Sequence, residues 1–351
     1  MTSRITLDRY VYEDIYPAFK ATTDEKEITA NINRTFLNFL AERNLVVNPH
    51  RPTVVADIGG GPCDTLVMYL NGVISPQGFI VRATDYLPAY ADARHGEALR
   101  VLATAQSKNT IKLNDFAVQA GDAFDGGLLD LLSGPADGTK MRSAFDIVFA
   151  SHMMYHAESS SDVQRFLADV ANHLLAPGGI CVMYHVALTP RTFQEFRARF
   201  GSQAGASTDS DTGAVTIDDP PPQIAAACKA LGLPLYQMDF VTNSRFGSLG
   251  GDEWGAFRDP GSYDALAVSN PGAYEDLKRL YFVVQRAPLE FAADHSATGL
   301  TAFIDEIRPV IEANHGALPL TERMQVCSRA DASPLLGEAI PGALAAASNW
   351  R

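Results

Sequence analysis

The 351 residues include only 4 cysteines, and Cys63, Cys181, Cys228 and Cys327 form no CxxC pair and have no histidine at zinc-ligand spacing. The sequence therefore predicts reduced structural thiols and no metal. No stretch approaches the roughly 18 consecutive apolar residues of a membrane span. Met1 to Tyr10 carries charges where a secretory leader has an apolar core, so the expected location is cytoplasmic. Basic residues are scarce: 28 Lys and Arg face 41 Asp and Glu, for a net charge of -13. No window interleaves basic residues with aromatics, so neither nucleic acid nor a membrane surface is an expected partner. Internal repeats are absent. With 46% apolar and 20% charged residues the composition excludes disorder as the dominant state, and the length suits one large domain with insertions or two domains.

What is present is an alternation of strand-like and helix-like segments. Asp24 to Asn44 carries Ile28, Ile32, Phe36, Phe39 and Leu40 at spacings of three and four, one face of a helix. Strands are expected at Thr53 to Ile58, Phe79 to Thr84, Phe116 to Gln119, Phe145 to Ala150 and Ile180 to Val186. Helices are expected between them at Asp64 to Asn71, Tyr90 to Gln106 and Asp162 to Leu175, the last stopped by Pro177-Gly178-Gly179. Such βαβ alternation predicts an α/β fold, a mainly parallel sheet with helices on both faces and ligands at the carboxyl ends of the strands. Gly201 to Pro222 is polar and rich in Gly, Ser, Thr and Asp, a loop suited to a lid. Helices follow at Gln223 to Leu231, Ala273 to Gln285 and Leu300 to Asn314, and strands at Leu235 to Val241 and Met324 to Cys327, while the tail from Ala330 carries little pattern. The chain thus reads as an N-terminal helical cap (1–50), a cofactor-binding core (51–190) and a substrate-covering region with the remaining strands (191–351).

The turn Asp57-Ile58-Gly59-Gly60-Gly61-Pro62-Cys63-Asp64 separates a buried strand from a helix. Glycines there allow positive φ and close approach of a ligand to the backbone. Gly59 and Gly61 match the first two positions of a dinucleotide fingerprint, but Asp64 stands at the third, where a carboxylate repels a pyrophosphate. S-adenosylmethionine carries no phosphate, and its amino acid ammonium welcomes acidic neighbours such as Asp57 and Asp64. Asp85 ends the second strand, where a carboxylate can accept both ribose hydroxyls. Asp122 and Ala123 follow the third strand, within reach of an adenine amino group, and Ser151 follows the fourth. The order and spacing of these signals favour that sulfonium cofactor.

Over about Thr53 to Val186 the chain resembles the class I S-adenosylmethionine-dependent methyltransferases, through VADIGGGPCD, ATDYLPAY, QAGDAF, FDIVFASHMMYH and LLAPGGICVMYHV. The resemblance implies a Rossmann-like sheet of seven strands and methyl transfer to a small molecule. More distantly, the helix before the fold and FASHMMYH are similar to histamine N-methyltransferase, in which an acidic residue of the N-terminal region holds the substrate amine. That likeness implies an amine nitrogen as acceptor and, among Asp24, Glu25 and Glu27, selects Glu25 as the substrate contact. His152 stands where that enzyme has an amide side chain, so histamine itself is not implied.

Methyl transfer needs alignment and an unprotonated nucleophile. His152 and His156 flank Tyr155 just past the fourth strand, so either imidazole can act as base or acceptor, and the Tyr155 ring can face a cation. Tyr16, with Tyr10 and Tyr12, is a candidate lining of the substrate pocket, although surface packing explains these three equally well. His173 and His185 fall on packed elements and read as structural. Methylation at oxygen or carbon, a nicotinamide-dependent oxidoreductase and a non-catalytic binding protein are the alternatives. The oxidoreductase is disfavoured by Asp64 and by the lack of a Tyr-x-x-x-Lys pair.

Overall fold

The structure is a computed structural model that describes residues 4–92, 94–132, 141–201, 220–247, 249 and 252–350. The chain divides into two units. A sheet unit takes Lys26–His185, Ala214–Phe240 and Arg323–Arg351, and a helical unit takes Met1–Glu25, Val186–Gly213 and Val241–Glu322.

Seven strands form one sheet: β1 (Thr53–Ile58), β2 (Phe79–Asp85), β3 (Leu113–Ala120), β4 (Phe145–Ser151), β5 (Leu175–Val186), β6 (Leu235–Arg245) and β7 (Ala317–Ser328). Their order is β3-β2-β1-β4-β5-β7-β6. The pairs β1–β2, β1–β4, β2–β3 and β4–β5 are parallel. Between β6 and β7, Phe246 bonds Gly316, the Arg323 guanidinium bonds Asp239, and Ser328 bonds Pro234. One number rises as the other falls, the signature of antiparallel pairing. The expected Rossmann-like sheet, mainly parallel and flanked by helices, is therefore what the chain forms.

Both faces of the sheet are buried, which is why all six positions of β1 are buried and apolar residues are not confined to alternate ones. Val55, Ile147, Phe149, Val182 and Tyr184 point to one side, where Phe36, Leu37 and Leu40 of the helix Glu25–Ala41 and Leu336 and Ile340 of the helix Pro334–Ser348 cover them. Val54, Ala56, Ile58, Val148, Ala150 and Met183 point to the other, against Val163, Phe166 and Leu167 of the helix Ser160–Asp169 and Ile224 of the helix Pro220–Leu231.

Several boundaries differ from expectation for local reasons. The helix expected over Tyr90 to Gln106 breaks into Pro88–Ala91 and Glu97–Ser107, because the Asp92 carboxylate accepts the Arg94 and His95 N–H groups and turns the chain. Pro177-Gly178-Gly179 lies inside β5. The helix gives way to a π turn at Val170–Leu174, and Leu175 already pairs with Phe145 before Ile180 pairs with Ile147. The extra residues form a bulge in which a Cβ on Gly179 would sit 2.4 Å from the Phe145 carbonyl. The tail becomes the helix Pro334–Ser348, capped by the Ser333 hydroxyl and buried along Leu336, Ile340, Ala343 and Leu344. Of the lid expected over Gly201 to Pro222, residues 202–219 lie outside the described residues, and Pro220, Pro221 and Pro222 open a helix, where a missing N–H costs nothing.

The helical unit packs the helices Tyr12–Lys20, Phe193–Phe200, Pro271–Val284 and Leu300–Ala313 around an aromatic core including Phe19, Phe193, Phe200, Trp254, Phe257 and Phe303. At its centre the Tyr263 and Tyr281 hydroxyls meet at 2.7 Å, and burial holds both phenols well above their ordinary pKa. Among the described residues, no helix of either unit is long and apolar enough to cross a membrane.

Candidate active site

The carboxyl ends of β1, β2 and β4 place most of the residues picked out from sequence in the sheet unit. β1 delivers the glycine turn. Gly59 (φ +69) and Gly61 (φ +57) occupy the left-handed region, and Cys63 enters it too at φ +60 as the cap of the helix Asp64–Leu70. The space around the three glycines differs. A Cβ on Gly59 would lie 2.7 Å from the Met153 Cβ, and one on Gly60 would lie 1.9 Å from Asp57 Oδ2, whereas one on Gly61 would meet nothing within 4 Å.

Asp85, at the end of β2, ties the turn down. One carboxylate oxygen accepts the Gly61 N–H at 2.9 Å and the other the Leu87 N–H at 2.9 Å. Each oxygen retains a second lone pair, so the carboxylate can still receive hydroxyl donors. Asp64 meets the Lys26 ammonium at 2.9 Å. Asp122 caps the turn after β3 by accepting the Phe124 N–H at 2.8 Å, and Ala123 packs, half-buried, beside it.

Asp57 is the unusual group. It is 4% exposed, and its Oδ2 has no hydrogen-bond partner in the structure. Burial, opposed by the neighbouring Cys63 thiol and reinforced by the charges of Asp85 and Asp64, pushes its pKa up to about 7.

β4 ends at Ser151, whose buried Oγ also has no hydrogen-bond partner in the structure. His152 then turns the chain sharply at φ +54, its N–H bonded to the Tyr184 carbonyl at 2.8 Å. That turn brings the half-buried His152 and Tyr155 rings nearly parallel, with centroids 6.4 Å apart. His156 is exposed at the end of the short turn Met154–His156 and takes no part in this ring cluster. The residue that sequence reasoning passed over is His185. Fully buried near the end of β5, it lies 5.5 Å from Tyr155 and 6.1 Å from His152 between ring centroids. Its Nε2 faces the Met154 N–H at 3.4 Å, its Nδ1 has no partner in the structure, and burial, with His152 nearby, holds its pKa well below the imidazole value. The signal was its place at the carboxyl end of a central strand rather than in the middle.

Tyr16 and Glu25 belong to the helical unit. Tyr16 stacks on Tyr12 at 4.7 Å and packs against Phe282. The Glu25 N–H is taken by the Thr23 hydroxyl, and fully buried Glu322 brings a carboxylate within 4.8 Å of that of Glu25. Nothing in the strand ALPLTERMQVCS marks Glu322 in advance, since a buried carboxylate is recognised only from what surrounds it.

The glycine cradle, the open space at Gly61 and the unpartnered Asp57 Oδ2 and Ser151 Oγ fit a ligand with an ammonium group and ribose hydroxyls. No protein-family model and no curated protein matches the chain. Solved structures of similar fold include the YcgJ protein from Bacillus subtilis, at 17% identity over 79% of this chain and 92% of that one, with a TM-score of 0.39. An O-methyltransferase family protein from Burkholderia thailandensis is 17% identical over 61% of this chain and 52% of that one, with a TM-score of 0.38. Phosphoethanolamine N-methyltransferase 2 from Haemonchus contortus, solved with phosphomonomethylethanolamine and S-adenosylhomocysteine, is 12% identical over 80% of this chain and 49% of that one, with a TM-score of 0.34. The chain thus spans about half the length of these last two.

Proposed function

We propose that the protein is a class I S-adenosylmethionine-dependent methyltransferase acting on a small molecule, with an amine nitrogen as the acceptor. The observation that carries the reading is the glycine turn held by Asp85 at the carboxyl edge of the sheet, with Asp57 Oδ2 and Ser151 Oγ unpartnered beside it. When bound, S-adenosylmethionine supplies a methyl group activated by a sulfonium. In this reading Asp57, Gly59, Gly60, Gly61, Asp64, Asp85, Asp122, Ala123 and Ser151 hold the cofactor. Asp85 receives hydroxyls on its second lone pairs, and the acidic environment of Asp57 and Asp64 suits a cationic group while opposing a pyrophosphate.

The work left to the protein is alignment and proton management. His152 accepts a proton or hydrogen bond from the nucleophile, and Tyr155 shapes the floor of the substrate site. Within the helical unit, Glu25 and Glu322 are the carboxylates suited to an ammonium, and Tyr16 offers a ring face to one. The nitrogen preference rests on the sequence resemblance.

Titration calorimetry with S-adenosylhomocysteine tests the cofactor assignment, with micromolar binding expected. Tight binding of NAD with no heat from S-adenosylhomocysteine would overturn it. A panel of small amines, phenols and carbon acids, followed by release of S-adenosylhomocysteine, then tests the acceptor.

A further inference from the structure

Met154 is fully buried in the turn that follows β4, so water does not reach its N–H and the chain has to supply an acceptor. The acceptor is a side chain from the neighbouring strand, His185 Nε2, at 3.4 Å. Strand register explains the meeting. β4 and β5 pair Ala150 with Met183 and Ser151 with Tyr184, which brings His152 level with His185, and the His152 N–H still bonds the Tyr184 carbonyl at 2.8 Å. There the strand stops, because His152 enters the left-handed region at φ +54 and the short turn Met154–His156 follows. An imidazole nitrogen that accepts an N–H carries no proton, so the contact requires a neutral His185 with its hydrogen on Nδ1. A charged ring would set two N–H groups against each other.

The same ring packs on the two side chains that this segment carries. Its centroid lies 5.5 Å from that of Tyr155, with the planes at 70°, and 6.1 Å from that of His152, with the planes at 59°. The His152 and Tyr155 rings are 13° from parallel with centroids 6.4 Å apart, less than the roughly 7 Å a planar group needs between two ring faces at van der Waals contact. The three rings therefore leave no slot between them, and fully buried His185 backs two half-buried neighbours. Resting on the methyltransferase reading above, we infer that His185 is a positioning residue for methyl transfer, its neutral ring pinning the Met154 N–H through Nε2 and backing Tyr155 and His152 so that both present a fixed face to the substrate. Its weight in the rate comes from alignment, since a displacement of about 1 Å in an aligned group costs as much as about 100-fold.

The test compares the wild type with His185→Gln, His185→Phe and His185→Asn at pH 8. Glutamine can place a carbonyl oxygen where Nε2 stands, phenylalanine fills the ring volume without an acceptor, and asparagine is too short to reach the Met154 N–H. Turnover is read as release of S-adenosylhomocysteine with the most active amine of the panel above, and the cofactor site by calorimetry with S-adenosylhomocysteine. His185→Phe and His185→Asn should lose about 10- to 100-fold in kcat with S-adenosylhomocysteine affinity within about 3-fold of the wild type, and His185→Gln should recover kcat to within about 5-fold. Long-range nitrogen-15 NMR of the histidine-labelled wild type, with the His185 signals assigned by their loss in His185→Gln, should place the proton on Nδ1. The phenylalanine variant guards against misfolding, because it keeps an apolar ring in a buried place, and urea unfolding follows all four proteins. A lower unfolding midpoint with unchanged kcat in His185→Phe and His185→Asn would make His185 structural only and overturn the inference, as would equal kcat losses in His185→Gln and His185→Phe or a proton on Nε2. No heat from the wild type with S-adenosylhomocysteine would overturn the methyltransferase reading, and the positioning role with it, whatever the tautomer.

Discussion

The Asp85 carboxylate accepts the Gly61 N–H at 2.9 Å, joining the ends of two neighbouring parallel strands through a side chain. One residue thereby fixes the shape of the turn and presents lone pairs at the same edge. Asp85→Ala should weaken S-adenosylhomocysteine binding by about 1 to 3 kcal/mol and lower the melting temperature, since two N–H groups lose their acceptor. Asp85→Asn, which keeps one acceptor oxygen, should recover part of the stability. Unchanged calorimetric affinity in Asp85→Ala would remove this residue from the site.

Gly60 and Gly61 should separate in a mutational comparison. Gly60→Ala drives a methyl group into the Asp57 carboxylate, which must shift, and should weaken S-adenosylhomocysteine binding and cost more stability than Gly61→Ala. Gly61→Ala meets open space and should cost only the left-handed backbone term, about 1 to 2 kcal/mol. Denaturant unfolding of both variants checks the order, and equal losses would contradict the geometry.

Asp57 imposes a pH dependence of known sign. Its carboxyl is raised from 3.8 to about 7 in the folded protein, so the folded state binds more protons than the unfolded one across that interval. Its contribution is therefore favourable below pH 4, declines as the pH rises, and levels off above pH 7, a change of roughly 4 kcal/mol for a shift of this size. The stability difference between the wild type and Asp57→Asn, measured by urea unfolding at pH 5 and pH 8, should move in favour of the variant at pH 8. A difference independent of pH would show that Asp57 is ionised throughout.

His185 works in the opposite sense. Because burial holds its imidazole neutral in the folded chain, the unfolded state gains a proton first as the pH falls, and stability is lost below about 6.5, the ordinary imidazole value. His185→Gln should unfold with less loss between pH 7.5 and 5.5 than the wild type does. Identical losses in the two proteins would place a charged imidazole in the folded state.

Among the histidines past β4, the site predicts a contrast. His152→Ala should lower turnover about 100-fold or more, with S-adenosylhomocysteine affinity almost unchanged, because only proton transfer is lost. His156→Ala, at an exposed position, should retain turnover within a few-fold. Wild-type turnover in His152→Ala, accompanied by a lower melting temperature, would assign His152 to turn formation alone.

The buried runs TVVADI and FDIVFAS announced central strands directly, because a strand covered on both faces has no polar alternation to lose. The glycine turn was equally plain, since positive φ at Gly59 and Gly61 leaves a mark in residue type. Cys63 gave no such mark, as a non-glycine residue in the left-handed region is stabilised by its neighbours and not by its own preference. The tail helix Pro334–Ser348 was hidden for a related reason: its Ala-rich repeat has little amphipathic contrast, and docking of Leu336, Ile340 and Leu344 decides that it folds.

The sequence by itself therefore determined the strand and helix alternation, the glycine turn and the acidic residues at or just past the ends of β1, β2 and β3, because these depend on local period, backbone freedom and chain order. Tertiary structure alone decided that the open carboxylate is Asp57, that His185 joins His152 and Tyr155 while His156 does not, and that Glu322 stands beside Glu25. Desolvation and through-space charge set those properties, and both arise from residues distant in the chain.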